Sequence, residues 1–163
     1  MRRLWLILLL MAFASPLAAA GFEGVVVRVK DGDSLLIERA RERRVEEVRL
    51  HAIDAPELGQ PWGIQARSAL RRLVQGRPVR VETLGRDRYG RWLGRVTVGR
   101  VDVNLALVEG GHAWAVRGYG AGPALVQAQR DAKAAGRGLW ALPPDQRLPP
   151  ATWRDRFPRE GRE

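Results

Sequence analysis

The sequence predicts an α+β fold: a small closed β-barrel of five short strands carrying about three helices. Three observations predict it. Apolar and polar residues alternate in short runs through the first half of the chain, the period of half-buried strands. The period turns helical over 62–74 and then reverts, which places one helix between the third and fourth strands. Beyond residue 102 the apolar stripes are helical again.

Residues 1–20 stand apart from this pattern and read as a signal peptide. Arg2 and Arg3 precede an apolar run from Leu4 to Phe13, and Ala18-Ala19-Ala20 supplies small residues for cleavage after Ala20. The run is short for a hydrocarbon core of about 30 Å, and Pro16 breaks the segment before the alanines. A secreted or periplasmic destination is therefore expected, without stable membrane association once the leader is removed. Residues 21–142 make one domain, and 143–163 make a Pro/Arg-rich tail, expected to be extended and loosely tied, with Trp153 as its candidate docking point.

Val25, Val27 and Val29 alternate with Val26, Arg28 and Lys30, which predicts a first strand with the odd-numbered valines on one face. Asp31-Gly32 reads as a hairpin turn, after which Leu35 and Ile37 continue the inner face. Arg39 to Arg44 is a charged connection, and Val48, Leu50 and Ala52 form the inner face of a third strand with Glu47, Arg49 and His51 outside. The helix over Trp62 to Val74 turns Ile64, Ala66, Ala69, Leu70, Leu73 and Val74 inward and Arg67, Arg71 and Arg72 outward; Gly76 and Pro78 end it. Strands follow around Val79-Val81-Thr83 and from Trp92 to Val98. A short helix starts at Asp102-Val103-Asn104 and stops at Gly110-Gly111, and a last one runs from Pro123 to Ala135 before Gly136. Five strands with a helix after the third suggest a barrel of the OB type, whose open face suits oligonucleotides.

Composition narrows the chemistry. The chain has no Cys and two His, which excludes disulfides, thiolate catalysis and cysteine zinc sites, and argues against a histidine-rich metal centre. Its formal net charge of +10 falls to +8 without Arg2 and Arg3, and favours a polyanionic partner. Arg28, Lys30, Arg88 and Arg95 on the outer face offer phosphate contacts.

Three blocks carry the candidate chemistry: Asp31-Gly32-Asp33-Ser34, Arg49 through Glu57, and Asp87-Arg88-Tyr89-Gly90-Arg91. Carboxylates hold a hard metal ion and permanently charged arginines hold phosphate. Each block alone also reads as a turn or a solvated strand end. Together they place Asp33 and Asp54 near strand ends that can meet in a small barrel, while Pro56 stiffens the loop bearing Glu57. Trp92, Trp114 and Trp140 read as core or core-edge, His112 as structural, and His51 as a neighbour of Asp54. Tyr89 and Tyr119 lie in basic, Gly-rich surroundings where a base could stack.

In this order and spacing, together with Val103-Asn104-x2-Leu107-Val108-x-Gly110-Gly111, the blocks resemble the staphylococcal (thermonuclease-type) nuclease family from about Gly24 to Trp140. The resemblance implies a five-stranded OB barrel with Ca2+-dependent phosphodiesterase activity on DNA and RNA, cleaving P–O5′ bonds to leave 3′-phosphates. By motif position it implies Asp33, Asp54 and the Ala55 carbonyl as Ca2+ ligands, with Asp31 behind them. Glu57 is then the residue that positions or deprotonates water, and Arg49 and Arg91 bind the phosphoryl oxygens. Arg88, Tyr89, Arg117 and Tyr119 fall near the nucleotide-contacting positions. Ala55 stands where the best-known member has a hydroxyl residue, so only a carbonyl contribution carries over. The implied partners are DNA and RNA, single-stranded or breathing duplex preferred, bound by a monomer. A catalytically silent OB module that only binds nucleic acid is the alternative, and a basic envelope adhesion protein a third reading.

Overall fold

The computed structural model describes residues 20–158, so the leader through residue 19 and the last five positions lie outside the described residues. The chain runs β1 (Gly21–Val29), β2 (Ser34–Arg39), β3 (Val45–Leu50), β4 (Ile53–Asp54), α1 (Gly63–Val74), β5 (Pro78–Arg86), β6 (Trp92–Val98), β7 (Val101–Asp102), α2 (Val103–Glu109), β8 (Trp114–Ala115), α3 (Pro123–Ala134) and α4 (Pro150–Arg156). Antiparallel pairing joins β3 to β2, β2 to β1, β1 to β5 and β5 to β6, and a parallel β3–β6 pairing closes the five-stranded barrel.

The barrel is filled by the inner face of each strand. Val26, Leu35, Ile37, Val48, Leu50, Val81 and Val96 are buried among the helix residues Ala66, Leu70, Val74, Val103, Leu107 and Val108. Each fully buried Val, Leu or Ile side chain contributes on the order of 1.5–3 kcal/mol. The buried Asn104 clamps the parallel seam where strand pairing is shortest. Its Oδ1 accepts from Val96 N at 3.1 Å, and its Nδ2 donates to the carbonyls of His51 (3.0 Å) and Gly94 (3.2 Å). That fixes the end of β3 immediately ahead of the Asp54 loop.

Four sequence expectations need correction. In β1 it is Val26 that points inward while Val25 and Val27 are exposed. A bulge between Val26 and Arg28 then flips the parity so that Val29 is buried. Helix α1 begins one residue later than predicted because Trp62 takes a left-handed backbone (φ 72°), and Ile64 in its first turn is 67% exposed. Ala135 is exposed beyond the end of α3. The tail is not extended: a 3-10 turn covers Pro144–Gln146 and a fourth helix covers Pro150–Arg156. Pro150 at the start of that helix has the φ a first turn requires and loses no hydrogen bond there, so the prolines initiate it rather than prevent it.

Candidate active site

The site is assembled where the β1–β2 loop, the end of β3 and the segment after β4 converge. Asp31 Oδ1 accepts the Asp33 N–H at 3.1 Å, which folds the loop tightly. Gly32 permits the close approach: a Cβ there would lie 2.6 Å from Ala55 Cβ and 3.0 Å from Ala66 Cβ. Asp33 is thus buried against two elements. Its carbonyl accepts from Leu50 N at 2.8 Å, and its Oδ2 accepts from Ala55 N at 2.7 Å. The Ser34 hydroxyl donates to Oδ1 at 3.2 Å.

Asp54 arrives from a strand the sequence does not announce. Two-residue β4 pairs with β8, Asp54 opposite Trp114, and Val116 N donates to the Ala52 carbonyl at 2.9 Å. This ladder also brings the Arg117–Tyr119 turn alongside His51 and Ala52, with Arg117 and Tyr119 exposed. Asp33 and Asp54 are each only 3% exposed. Two buried carboxylates need a counter-charge, and Arg49 supplies it. From its position opposite Ser34 in the β2–β3 register, its Nη1 pairs with Asp33 Oδ1 and its Nη2 donates to Asp54 Oδ1 at 2.6 Å.

Glu57 lies in the next turn, which Gln60 secures. Gln60 Oε1 accepts from Glu57 N at 3.1 Å, and Gln60 N donates to the Glu57 carbonyl at 2.8 Å. Pro56 is buried ahead of it. A residue absent from the sequence reading completes the cluster. Arg154 of α4 donates through Nη1 to Glu57 Oε1 (2.9 Å) and Asp54 Oδ1 (3.2 Å), and through Nη2 to Asp54 Oδ2 (3.0 Å). Burial works against its charge, but the bonds to Asp54 and Glu57 outweigh that and raise its pKa above the ordinary arginine value. The signal for it in the sequence is slight, a run from Ala151 to Phe157 with no helix breaker after Pro150.

Arg91 sits just ahead of β6, two residues before Leu93, the register partner of Arg49. Its Nε donates to Asp87 Oδ2 at 2.8 Å, and Asp87 Oδ1 also accepts the backbone N–H groups of Tyr89 (2.9 Å) and Arg91 (3.0 Å). Burial pushes the Asp87 carboxyl up, but the Arg91 side chain and these N–H groups prevail and hold it below the usual carboxylate range. Tyr89 is exposed between the guanidinium groups of Arg88 (5.0 Å) and Arg91 (5.4 Å). On the wider basic face, Lys30 pairs with Glu47 at 2.6 Å and Arg95 with Glu82 at 3.2 Å.

His51 does not join the cluster. It lines a separate cavity of about 250 Å3 with Arg95, Asp102 and Leu125, where burial, then Arg95, lowers its pKa. His112 is structural: its Nδ1 accepts from Trp62 Nε1 at 3.1 Å, and burial, then Arg72, lowers its pKa.

Among the described residues no cluster of three or more His, Cys, Asp or Glu is placed to hold a metal ion, so a closed all-protein cage is absent. The donor chemistry fits a different kind of ion. Two buried carboxylates, already drawing two guanidinium groups, suit a hard cation that completes its shell with backbone, water and substrate oxygens. The same carboxylates hold Arg49 with three of its five N–H donors unused by them, a geometry in which the guanidinium could also meet an anion.

A family model described as staphylococcal nuclease homologue matches residues 47–142. An uncharacterized endonuclease of Escherichia coli O157:H7 is 39% identical over 155 residues, covering 94% of this chain and 99% of its own. Micrococcal nuclease of Shigella flexneri is 37% identical over 148 residues, covering 84% and 83%. A probable staphylococcal-like nuclease of Oryza sativa subsp. japonica is 35% identical over 130 residues, 80% of this chain but 32% of the longer plant protein.

Proposed function

The chain belongs to the staphylococcal nuclease family, and on that premise we propose that it is a Ca2+-dependent endonuclease that hydrolyses the P–O5′ bonds of DNA and RNA and leaves 3′-phosphates. The observation that carries this reading is the Arg49 bridge. One guanidinium ties two buried carboxylates from separate segments, so a cation-binding pair and a phosphate-binding fork share one point in the fold.

Asp33, Asp54 and the Ala55 carbonyl would hold Ca2+, which when bound supplies positive charge against a phosphate oxygen. Glu57 accepts the proton of an attacking water as the new O–P bond forms and the P–O5′ bond breaks. Arg49 directs its remaining N–H donors at the nonbridging oxygens, whose charge grows in the transition state. Arg91 stabilises the departing oxygen by charge alone, since a guanidinium does not give up its proton, and solvent protonates the 5′ product. Tyr89 with Arg88, and Tyr119 with Arg117, are exposed aromatic and cationic pairs suited to a splayed single strand. Single-stranded and breathing substrates are therefore cut fastest, with strong salt dependence and little sequence preference. The leader-like first twenty residues support export to the periplasm or medium.

The test is incubation of the purified protein with single-stranded DNA, duplex DNA and RNA in Ca2+, with and without EGTA, followed by end-group analysis. Cleavage that needs Ca2+ and yields 3′-phosphates is expected. Binding without cleavage under every metal condition would favour the silent OB module instead.

A further inference from the structure

The acidic site already holds a cation of the protein's own. Both oxygens of Asp54 accept N–H groups from Arg154, and the same guanidinium reaches Glu57. Arg154 is separated from Asp54 by 100 residues and comes from an element outside the barrel. We infer that Arg154 is a tethered counter-ion that occupies the acidic site, and that it sets the concentration of divalent cation the protein needs by having to leave before Asp54 can act as a ligand. This rests on the assignment of Asp54 to the cation.

Arg49 and Arg154 already cover both oxygens of Asp54, so a divalent ion there has to displace an N–H group, and Arg154, whose helix stands outside the barrel, is the one that yields. A third positive group on one small carboxylate is repelled by the two present. Charge favours the exchange. The carboxylates of Asp33, Asp54 and Glu57 outnumber the guanidinium groups of Arg49 and Arg154, and a divalent ion in place of Arg154 evens the balance.

The attachment is built to come off. Pro150 is the only buried residue of α4, and the Arg154 side chain is 40% exposed. Besides Arg154, the approach to the helix is tied by Gln60 Nε2 donating to the Leu148 carbonyl, and by Arg147 Nε donating to the Leu142 carbonyl. Trp153 packs against Phe157 of its own segment, the rings tilted with centroids 4.4 Å apart. Release of α4 therefore opens no part of the barrel core.

Competition of this kind is reciprocal. Calorimetric titration of the purified protein with Ca2+, without nucleic acid, should give a dissociation constant about tenfold lower for Arg154→Gln, within the usual range of coupling between competing ligands. Arg156→Gln removes the same charge from the same helix without touching the carboxylates, and should bind Ca2+ like wild type. In wild type, Ca2+ should speed hydrogen exchange of the α4 amides while leaving β1–β3 protected. Equal affinity in Arg154→Gln and wild type, weaker binding in Arg154→Gln, or slower α4 exchange with Ca2+ would overturn the inference. Normal Ca2+ binding with those results would leave the metal assignment standing. Failure of every variant to bind Ca2+ would sink the metal assignment and the tether together.

Discussion

Arg49 and Arg154 bind the same carboxylate and are held there in opposite ways. Arg49 grows from a barrel strand whose register with β2 fixes it opposite Ser34, and its side chain is 15% exposed. Arg154 hangs from a seven-residue helix with one buried residue, and its side chain is 40% exposed. The first is part of the fold that creates the site; the second is an occupant of it. A buried carboxylate pair is thus neutralised by one charge fixed in a barrel strand and by a second carried on a peripheral helix.

The largest effect that separates the two is stability. Arg49→Ala removes the guanidinium that pairs Asp33, 3% exposed, and leaves Asp54 to Arg154 alone, and should cost about 3–5 kcal/mol, as removal of one partner from a buried ion pair does. Urea denaturation of the variant at neutral pH measures it. A loss below about 1 kcal/mol would show that the two arginines are equivalent, as for an ordinary surface pair. Gly32→Ala tests the floor on which Asp33 rests. A methyl 2.6 Å from Ala55 Cβ must push the loop outward, at a cost of about 1–3 kcal/mol. Its hydrogen-exchange footprint should appear at residues 31–34 and 54–57 and leave α4 unchanged. Arg154→Ala, by contrast, should shift the urea midpoint by less than about 1 kcal/mol equivalent, because the group is partly solvated and its helix is peripheral.

The smallest effect concerns pH. His112 accepts a hydrogen bond from Trp62 at the start of α1, and burial and Arg72 lower its folded pKa below the unfolded value of about 6.5. The unfolded chain therefore binds the proton more readily. The stabilisation is present above pH ~6.5 and is lost as the pH falls toward the folded pKa. His51 acts in the same direction. Thermal midpoints should decline from pH 7 to 5.5, and His112→Gln should flatten part of that slope. An unchanged slope in the variant would remove His112 from the account.

Much of the barrel was legible because its signals are periodic. Leu35 and Ile37, then Val48 and Leu50, alternate as strands and are buried, whereas Ala52, expected on the third strand, is buried past its end in a left-handed turn (φ 63°). Asp102 caps α2 as the sequence suggests, accepting from Leu105 N at 3.0 Å. The β1 valines misled because every residue from Val25 to Val27 is apolar, so alternation could not reveal the bulge between Val26 and Arg28. The β4–β8 ladder was invisible since two residues carry no period. In the site, Asp33, Asp54, Arg49 and Glu57 were found through their blocks, and the structure brings the first three into direct contact. Arg154 was missed because a proline-rich segment conceals a short helix, and because nothing local marks a partner 100 residues away.

We propose above that these residues form a hydrolytic site in which Glu57 takes the proton of the attacking water. Glu57→Gln keeps the shape of the side chain and removes only its basicity. Single-turnover cleavage of single-stranded DNA at saturating Ca2+, with the affinity for the strand measured alongside, tests the claim directly. Near wild-type affinity is expected, with a rate lower by about 10²–10⁴, the usual range for a lost general base. Cleavage at close to the wild-type rate would contradict it.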